Sequence, residues 1–194
     1  MHGRAFQEVS LQPVPFWFLR HGETDWNAQG ISQGNVDIPL NAVGIAQARA
    51  AAERLRYRGI ATIVSSPLSR ARVTAELVGE ALGQPIAIDR DLREVAFGVQ
   101  EGQKMSGWFA DWVSGRFTPE GAESFATLQH RAVAAANRAT AQPPAVLVVA
   151  HGALFRSLRS AMGIEPNLRT QNAVPIFCAP PSVGETRWSL RPLV

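Results

Sequence analysis

Short apolar runs alternate along the chain with longer segments of helical character. Four of these runs are of the kind that forms strands buried on both faces of a sheet: FWFL at 16–19, ATIVS at 61–65, IAI at 86–88 and AVLVVA at 145–150. Two later segments, 174–177 and 186–190, are candidates for additional strands. Helices are predicted between the runs, at Asn41 to Leu55, Ser69 to Leu82, Glu123 to Ala141 and 154–162.

The apolar residues of two predicted helices recur on one face. Asn41 is suited to cap the first of these helices, and we expect the helix to form despite Gly44. Its apolar face consists of Ile45, Ala48, Ala52 and Leu55. The apolar face of the helix over 123–141 consists of Phe125, Leu128, Ala132, Val133 and Ala136. Faces of this kind predict helices that pack against a sheet.

Strands that alternate with helices indicate the α/β class. We predict a three-layer α/β/α sandwich with a mainly parallel central sheet. The chain has no internal repeat or interdomain linker, and its 194 residues fit one domain spanning 1–194. The region 97–121 shows no sustained period and is predicted to be a lid or insertion. Its aromatic residues Trp108, Phe109 and Trp112 are expected to pack rather than to stack on nucleic bases.

The composition favours a folded protein that binds an anionic substrate. Hydrophobic residues make up 46% of the chain and charged residues 18%, and the net charge is +3. This small excess of positive charge suits an anionic ligand. No basic run is interleaved with aromatic residues, so nucleic acid is not an expected partner.

Cysteine content and the lack of long apolar segments bear on the compartment. Cys178 is the single cysteine, which excludes an intrachain disulfide and a cysteine-built zinc site. Residues 1–15 lack the apolar core of a secretion signal, and no segment approaches the about 18 apolar residues of a membrane span. We expect a cytoplasmic protein without a membrane partner. His2 is expected in a disordered tail, and His130 on a helix surface.

Polar residues with similar chemistry follow three of the predicted strands. LRHG ends at Gly22, SSPLSR carries Arg70, and VAHG ends at Gly152. In open α/β sheets, ligands bind beyond the carboxyl ends of the strands. These segments therefore predict one pocket that contains two fixed positive charges and two imidazoles: Arg20, Arg70, His21 and His151.

Such a pocket suits the transfer of a phosphoryl group. Guanidinium groups bind the nonbridging oxygens, and a neutral imidazole can attack phosphorus when its second nitrogen is held by a hydrogen bond. A leaving alkoxide also needs a proton, for which Glu94 in LREVAFG is the candidate. A phosphohistidine intermediate is therefore chemically accessible.

Each of these residues also has a simpler interpretation. A single His-Gly pair at the end of a strand often serves a turn. Arg70 alone could be a solvated helix residue, and Glu94 could pair with Arg90 or Arg93 on the surface. The repetition of the His-Gly pair after a second strand favours the functional interpretation.

Four segments of the chain resemble the histidine phosphatase superfamily, also called phosphoglycerate mutase-like. LRHGETDWNAQGISQGNVDIPLNAVGIAQA is similar to the N-terminal signature of the family, SSPLSRARVTAEL to its second arginine segment, LREVAFGVQEG to its acidic segment and VVAHGALFRSL to its second histidine segment. They occur in the order of the family and extend from about Phe16 to about Leu158. The resemblance implies the phosphoglycerate mutase-like fold.

The resemblance also implies roles for individual residues. His21 would be the nucleophile that becomes phosphorylated, and Glu94 would be the proton donor and then the base that activates water. Phosphoryl oxygens would be bound by Arg20, Asn27, Arg70, His151 and the backbone N–H of Gly152. Gln33 and Gly34 would contact the substrate. No metal or organic cofactor is implied, and the expected ligand is a small phosphorylated metabolite.

Departures from the family pattern bear on the reaction. Many phosphatases of the family carry an aromatic residue where this chain has Gln100, and the mutase branch has a longer chain with a tyrosine-containing segment after the acidic glutamate. Lys104 and Arg116 are the basic residues that the 97–121 region offers for a second anionic group. We expect a phosphatase, with a mutase as the alternative and a non-catalytic phospho-ligand-binding module as a third possibility. Assembly as a homodimer is left open.

Overall fold

The computed structural model describes residues 9–194 and contains six strands in one sheet. The strands are β1 (Phe16–Arg20), β2 (Thr62–Ser65), β3 (Ile86–Ile88), β4 (Val146–Ala150), β5 (Ile176–Ala179) and β6 (Ser189–Pro192). The α-helices are α1 (Asp25–Gln29), α2 (Ala42–Leu55), α3 (Ser69–Leu82), α4 (Trp108–Val113), α5 (Phe125–Thr140) and α6 (Gly152–Ala161). His2, predicted to lie in a tail, is outside the described residues.

The sheet is parallel over four strands and antiparallel at one edge. The strand order is β3-β2-β4-β1-β5-β6, and β3, β2, β4 and β1 run in the same direction. The last two strands, β5 and β6, pair antiparallel. The carboxyl ends of β1, β2 and β4 therefore meet at one edge of the sheet, as the sequence predicted.

Successive residues of the central strands point to opposite faces of the sheet, as a period of two requires. In β1, Phe16 and Phe18 join the core under α5 and α6, whereas Trp17 and Leu19 join the core under α2 and α3. The strand β4 divides in the same way, with Val148 on the first face. The predicted three-layer α/β/α sandwich is thus confirmed. No helix among residues 9–194 is long and apolar enough to cross a membrane.

Most helix limits agree with the prediction, whereas the two edge strands differ. Helix α3 spans the predicted residues, and Asn41 caps α2 by accepting a hydrogen bond from the N–H of Gly44 at 2.8 Å. The strand predicted at 174–177 lies at 176–179, because the chain before Pro175 is bonded to the end of β1. The strand predicted at 186–190 lies at 189–192, where its register is set by pairing with β5.

The region 97–121 contains short helices and an aromatic cluster. A 3-10 turn spans Gly98–Gln100 and is followed by α4. Trp112 is fully buried, and its ring lies 5.3 Å from Phe97, 5.3 Å from Phe109 and 5.2 Å from Phe125. Trp108 packs edge-on against Phe97. The expectation that these aromatic residues serve packing is confirmed for the described chain.

The buried face of α2 is rotated relative to the prediction. Ile45 is 38% exposed, and the buried residues of the helix are instead Gly44, Ala48, Ala51, Ala52 and Leu55. The cause is a close backbone approach between α2 and the loop after β1. A Cβ atom on Gly44 would lie 2.1 Å from the carbonyl oxygen of Glu23, and one on Gly22 would lie 2.3 Å from the carbonyl oxygen of Gly44. Two glycines therefore allow the RHGET loop to rest on the helix.

We predict that Gly44→Ala destabilises the protein although alanine is the better helix former. The gain in helix propensity is about 1 kcal/mol, but the new methyl group would collide with backbone that cannot rotate away, which costs about 3 kcal/mol. Urea denaturation should show a net loss of about 2 kcal/mol in the free energy of unfolding. Gly107→Ala is the matched control, because a Cβ at Gly107 meets no atom within 4 Å. A Gly44→Ala protein as stable as wild type would contradict the prediction.

Candidate active site

The parallel pairing of β1 with β4 brings the two predicted histidines together. Arg20 is in register with Ala150, and the N–H of His21 donates to the carbonyl of Ala150 at 3.0 Å. His21 directly follows β1 and His151 directly follows β4. Their ring centroids lie 5.2 Å apart. Both are almost fully buried, at 2% and 0% exposure. Two distant His-Gly segments thus form one site.

A backbone contact determines the tautomer of His21. Its Nδ1 lies 2.7 Å from the carbonyl oxygen of Gly22. A carbonyl can only accept, so Nδ1 carries the hydrogen and Nε2 has the free lone pair. Burial, followed by the charges of Arg70 and Arg20, holds the pKa of His21 well below its usual value. The ring is therefore neutral near pH 7, as a nucleophile requires.

His151 is arranged differently from His21. Its Nε2 lies 2.7 Å from the hydroxyl oxygen of Ser66, while its Nδ1 has no hydrogen-bond partner among the described residues. The Ser66 hydroxyl can donate to Nε2, and the hydrogen of the neutral ring is then on Nδ1. Burial and the neighbouring charges, Arg70 first, hold the pKa of His151 well below its usual value. His151 thus offers one neutral N–H donor.

Backbone carbonyls, not carboxylates, hold the two predicted arginines. Arg70 donates to the carbonyls of Val36 at 2.9 Å and Gly34 at 2.8 Å, and Arg20 donates to the carbonyl of Thr170 at 2.7 Å. Burial lowers the pKa of Arg20 to about 10, so it stays charged at neutral pH. The Nε atoms of both arginines are buried without an acceptor among residues 9–194. An oxyanion would supply the acceptors that these donors need.

Two further predicted donors lie at helix starts. Thr24 and Asn27 cap α1 reciprocally, and the Oδ1 atom of Asn27 also accepts from Asn172 at 3.2 Å. The Nδ2 group of Asn27 is therefore the donor that this side chain retains. The N–H of Gly152 is the first of α6, at the end of the helix that attracts anions.

The start of α6 also holds Glu94. One carboxylate oxygen accepts from the N–H of Ala153 at 3.0 Å, and the other accepts from the N–H of Leu154 at 3.0 Å. Glu94 is 8% exposed and forms no ion pair with Arg90 or Arg93 within the described chain, so the surface-pair interpretation is wrong. The start of α6 thus binds the carboxylate of Glu94. The first N–H of the helix, from Gly152, remains available to another anion.

A cavity of about 230 Å³ joins most of these residues. The predicted site residues that line it are Arg20, His21, Asn27, Gln33, Gly34, Arg70, Glu94 and Gly152. His151 lies behind them against His21 and is not part of the lining. An apolar wall completes the cavity, formed by Trp26, Ile31, Phe97, Met105 and Phe109. Gln100, Lys104 and Arg116 do not line the cavity, and Arg116 pairs with Asp111 at 2.5 Å.

Sequence reasoning missed several residues of the site. Arg156 and Arg169 line the cavity, and Asn172 donates to the carbonyl of His21 at 2.9 Å. Ser66 belongs to the segment SSPLSR, but its contact with His151 depends on the packing of β2 beside β4. For Arg156 a signal existed, since it lies one helical turn after Gly152. No pattern in the sequence marked Arg169 or Asn172.

Arg131 on α5 was also missed, although it holds the segment that carries Glu94. It donates to the carbonyls of Asp91 at 2.7 Å, Arg93 at 2.7 Å and Glu94 at 3.1 Å. The same guanidinium group forms two 2.7 Å hydrogen bonds with the carboxylate of Glu123. This largely buried ion pair therefore helps to set where Glu94 lies relative to α6.

Comparison with known proteins assigns the family. The model of the histidine phosphatase superfamily (branch 1) matches residues 16–176. This span includes β1, β4 and every predicted site residue. The chain therefore belongs to the histidine phosphatase superfamily, as its four segments predicted.

The chain is similar to curated proteins with phosphatase and mutase names. It is 34% identical over 175 residues to "Uncharacterized phosphatase PhoE" of Bacillus subtilis (strain 168), covering 89% of this chain and 90% of the relative. It is 36% identical over 174 residues to "Probable phosphoglycerate mutase GpmB" of Proteus mirabilis (strain HI4320), covering 80% of each chain. Both a phosphatase name and a mutase name thus occur among its relatives.

Solved structures share the fold over nearly the whole chain. "Mycobacterial hydrolase 1" has a TM-score of 0.81 and 30% identity, covering 92% of this chain and 96% of that one. A mycobacterial glucosyl-3-phosphoglycerate phosphatase in complex with VO3 has a TM-score of 0.77 and 32% identity, covering 91% and 97%.

We predict that the stability of the protein falls between pH 7 and pH 5, in part because His151 is buried in the neutral form. The unfolded chain takes up a proton as the pH falls through about 6.5, whereas the folded chain, whose His151 pKa is well below its usual value, does not. His151 alone should contribute a loss of about 2 kcal/mol over this range. Urea denaturation at both pH values in phosphate-free buffer should show a smaller loss in His151→Gln. Equal losses in the two proteins would contradict the burial argument.

We also predict that Arg131→Met is strongly destabilising. The substitution leaves the Glu123 carboxylate and three carbonyl groups without their partner, which costs about 3 kcal/mol for a buried pair. The side chains of Arg131 and Glu123 are only 15% and 16% exposed. Arg72→Met is the matched control, because Arg72 and Glu76 are 47% and 44% exposed; it should cost less than about 1 kcal/mol. If urea denaturation shows similar losses in the free energy of unfolding for both variants, the prediction for the Arg131 network is contradicted.

Proposed function

We propose that this protein is a metal-independent phosphatase that hydrolyses a small phosphomonoester through a phosphohistidine on His21. The observation that carries the proposal is the fixed lone pair on His21 Nε2 beside two buried donors that have no acceptor in the described chain, Arg20 Nε and Arg70 Nε. His151 Nδ1 is also buried without a partner there, and it is a third donor when the Ser66 hydroxyl donates to Nε2. A phosphoryl group supplies negatively charged oxygens for these donors and a phosphorus atom for the lone pair. Membership in the histidine phosphatase superfamily supports the same chemistry.

In the first step, Nε2 of His21 attacks phosphorus and the ester P–O bond breaks. Arg20, Arg70, the Asn27 amide and the N–H of Gly152 bind the nonbridging oxygens, on which charge is held in the transition state. Glu94, in its protonated form, donates a proton to the departing alkoxide, which leaves as the alcohol. The product of this step is phospho-His21.

In the second step, water attacks the phosphorus of phospho-His21 and the P–N bond breaks. Glu94, now a carboxylate, accepts a proton from the water as it attacks. The electron pair of the broken bond returns to Nε2, and inorganic phosphate leaves. The hydrogen bond from Nδ1 to the carbonyl of Gly22 holds the ring in one orientation through both steps.

A mutase that transfers the phosphoryl group within phosphoglycerate is the second candidate. Arg156 and Arg169 favour it, because they add positive charge to the cavity beyond Arg20 and Arg70. The relatives named as probable phosphoglycerate mutases point in the same direction. Hydrolysis is the simpler reaction, because it needs only water at phospho-His21. A mutase must instead hold the phosphoenzyme away from water.

A non-catalytic module that binds a phosphorylated ligand is the least supported possibility. Binding requires the arginines and backbone donors but neither a free lone pair on His21 nor a carboxylate beside the start of α6. The chain has both of these features, which favours catalysis.

The test is phosphate release from para-nitrophenyl phosphate in the presence of a chelator, at about pH 5 to 8. Wild type should turn over, and His21→Ala should lower kcat by at least about 1,000-fold and abolish acid-labile phosphate labelling. His130→Ala, which removes an imidazole from α5 outside the cavity lining, is the matched control. Absence of phosphate release by wild type would overturn the proposal, and labelling that survives His21→Ala would overturn the assignment of the nucleophile. Faster interconversion of 2- and 3-phosphoglycerate than release of phosphate would instead identify a mutase.

A further inference from the structure

The cavity contains more positive charge than one phosphoryl group requires. Four arginines line it, namely Arg20, Arg70, Arg156 and Arg169, and none of them forms an ion pair with a carboxylate among residues 9–194. The single acidic residue of the lining, Glu94, is bonded to the start of α6. Arg20 and Arg70 lie beside the nucleophile, which leaves two arginines without a role in the proposed reaction.

Arg156 lies on the cavity side of α6, one turn beyond the phosphoryl-binding end. Residues i and i+4 of a helix share one face, so Arg156 is on the face of Gly152 and about 6 Å further along the axis. Its guanidinium group lines the same cavity as His21.

Two contacts hold the guanidinium plane of Arg156 in place. Its Cζ atom lies 4.7 Å from the centre of the Phe109 ring, which also lines the cavity, and its Nη1 donates to the Oδ1 atom of Asn167. Both partners are uncharged, so the charge of Arg156 is oriented but not neutralised. A planar group held in this way is suited to bind a carboxylate or phosphate through two parallel hydrogen bonds.

Arg169 faces the same part of the cavity from the chain after α6. It is exposed to solvent and has no hydrogen bond or ion pair to the described residues. The next residue, Thr170, accepts the hydrogen bond of Arg20 through its carbonyl. Arg169 thus lies beside the residue that holds the phosphoryl-binding arginine. Burial lowers the pKa values of Arg20 and Arg156, and the like charge of Arg169 lowers them further.

We infer that Arg156 and Arg169 form a subsite for a second anionic group of the substrate. This inference rests on the proposed phosphatase function and names its substrate class: phosphomonoesters that carry a carboxylate or a second phosphate a short carbon chain away from the reacting phosphoryl group. The subsite comes from α6 and the segment after it, whereas the 97–121 region contributes the uncharged wall formed by Phe97, Met105 and Phe109.

The experiment compares matched substrates that differ in one anionic group. The first pair is 3-phosphoglycerate and glycerol 3-phosphate, and the second is propane-1,3-diol bisphosphate and propane-1,3-diol monophosphate. Wild type should show a kcat/KM about 10- to 100-fold higher for the anionic member of at least one pair, since hydrogen bonds to charged groups contribute on this scale. The pair with the larger ratio identifies carboxylate or phosphate as the preferred anion.

The variants Arg156→Met and Arg169→Met remove charge while keeping an apolar side chain. Each should lower the ratio within the preferred pair about 10-fold, while kcat/KM for the member that lacks the second anion changes less than about 3-fold. Arg156→Lys keeps the charge without the planar fork and should restore part of the ratio. Arg159→Met is the control, because Arg159 is on α6 but lines a separate groove with Arg187 and Trp188.

Binding to the His21→Ala protein, measured by tryptophan fluorescence, separates this inference from the proposed function, because Trp26 lines the cavity and no turnover is needed. A preference for the anionic ligand that is lost in Arg156→Met supports the subsite even if no substrate is hydrolysed. Equal affinity of the His21→Ala protein for both members of each pair, or a preference that survives when Arg156→Met and Arg169→Met are added to it, would overturn the inference.

Discussion

The parallel pairing of β1 with β4 is the constraint on which the site depends. It places His21 and His151 at adjacent strand ends, although they are far apart in the chain. The helices that follow the two strands pack on opposite faces of the sheet, α2 on one and α6 on the other. The chain therefore diverges at this point and leaves a crevice, as in other open α/β sheets. A slip of β1 by one residue relative to β4 would turn His21 to the other face of the sheet and separate it from His151.

The second constraint is electrostatic, because the site gathers buried positive charge without neutralising it. Carbonyl groups of Gly34, Val36 and Thr170 satisfy some of the guanidinium N–H groups, so the charges of Arg20 and Arg70 remain available to an anion. Burial, followed by these same charges, lowers the pKa of His21 and keeps the ring neutral and thus nucleophilic. The arginines proposed to bind the phosphoryl group therefore also contribute to activation of the histidine.

The parts of the fold that could be predicted from the sequence are those with a strong local signal. Helix α3 was predicted at its observed limits, and Asn41 was identified as a cap because its side chain bonds within its own turn. The two edge strands begin later in the chain than predicted. Their start is set by the strand pairing with β1 and by the hydrogen bonds before Pro175. The exposure of Ile45 was missed for a similar reason, since the close approach of Glu23 to Gly44 rotates α2.

The same distinction separates the two halves of the cavity. Residues proposed to bind the phosphoryl group belong to segments whose local pattern is recognisable, because a histidine and a glycine after a buried strand must meet several requirements at once. Arg156 has one local signal, its place a helical turn after Gly152. Arg169 and Asn172 satisfy no local requirement and reach the site only when the chain returns past the end of β1. The residues proposed for phosphoryl transfer can therefore be recognised from sequence motifs, whereas the residues proposed to select the substrate depend on tertiary packing.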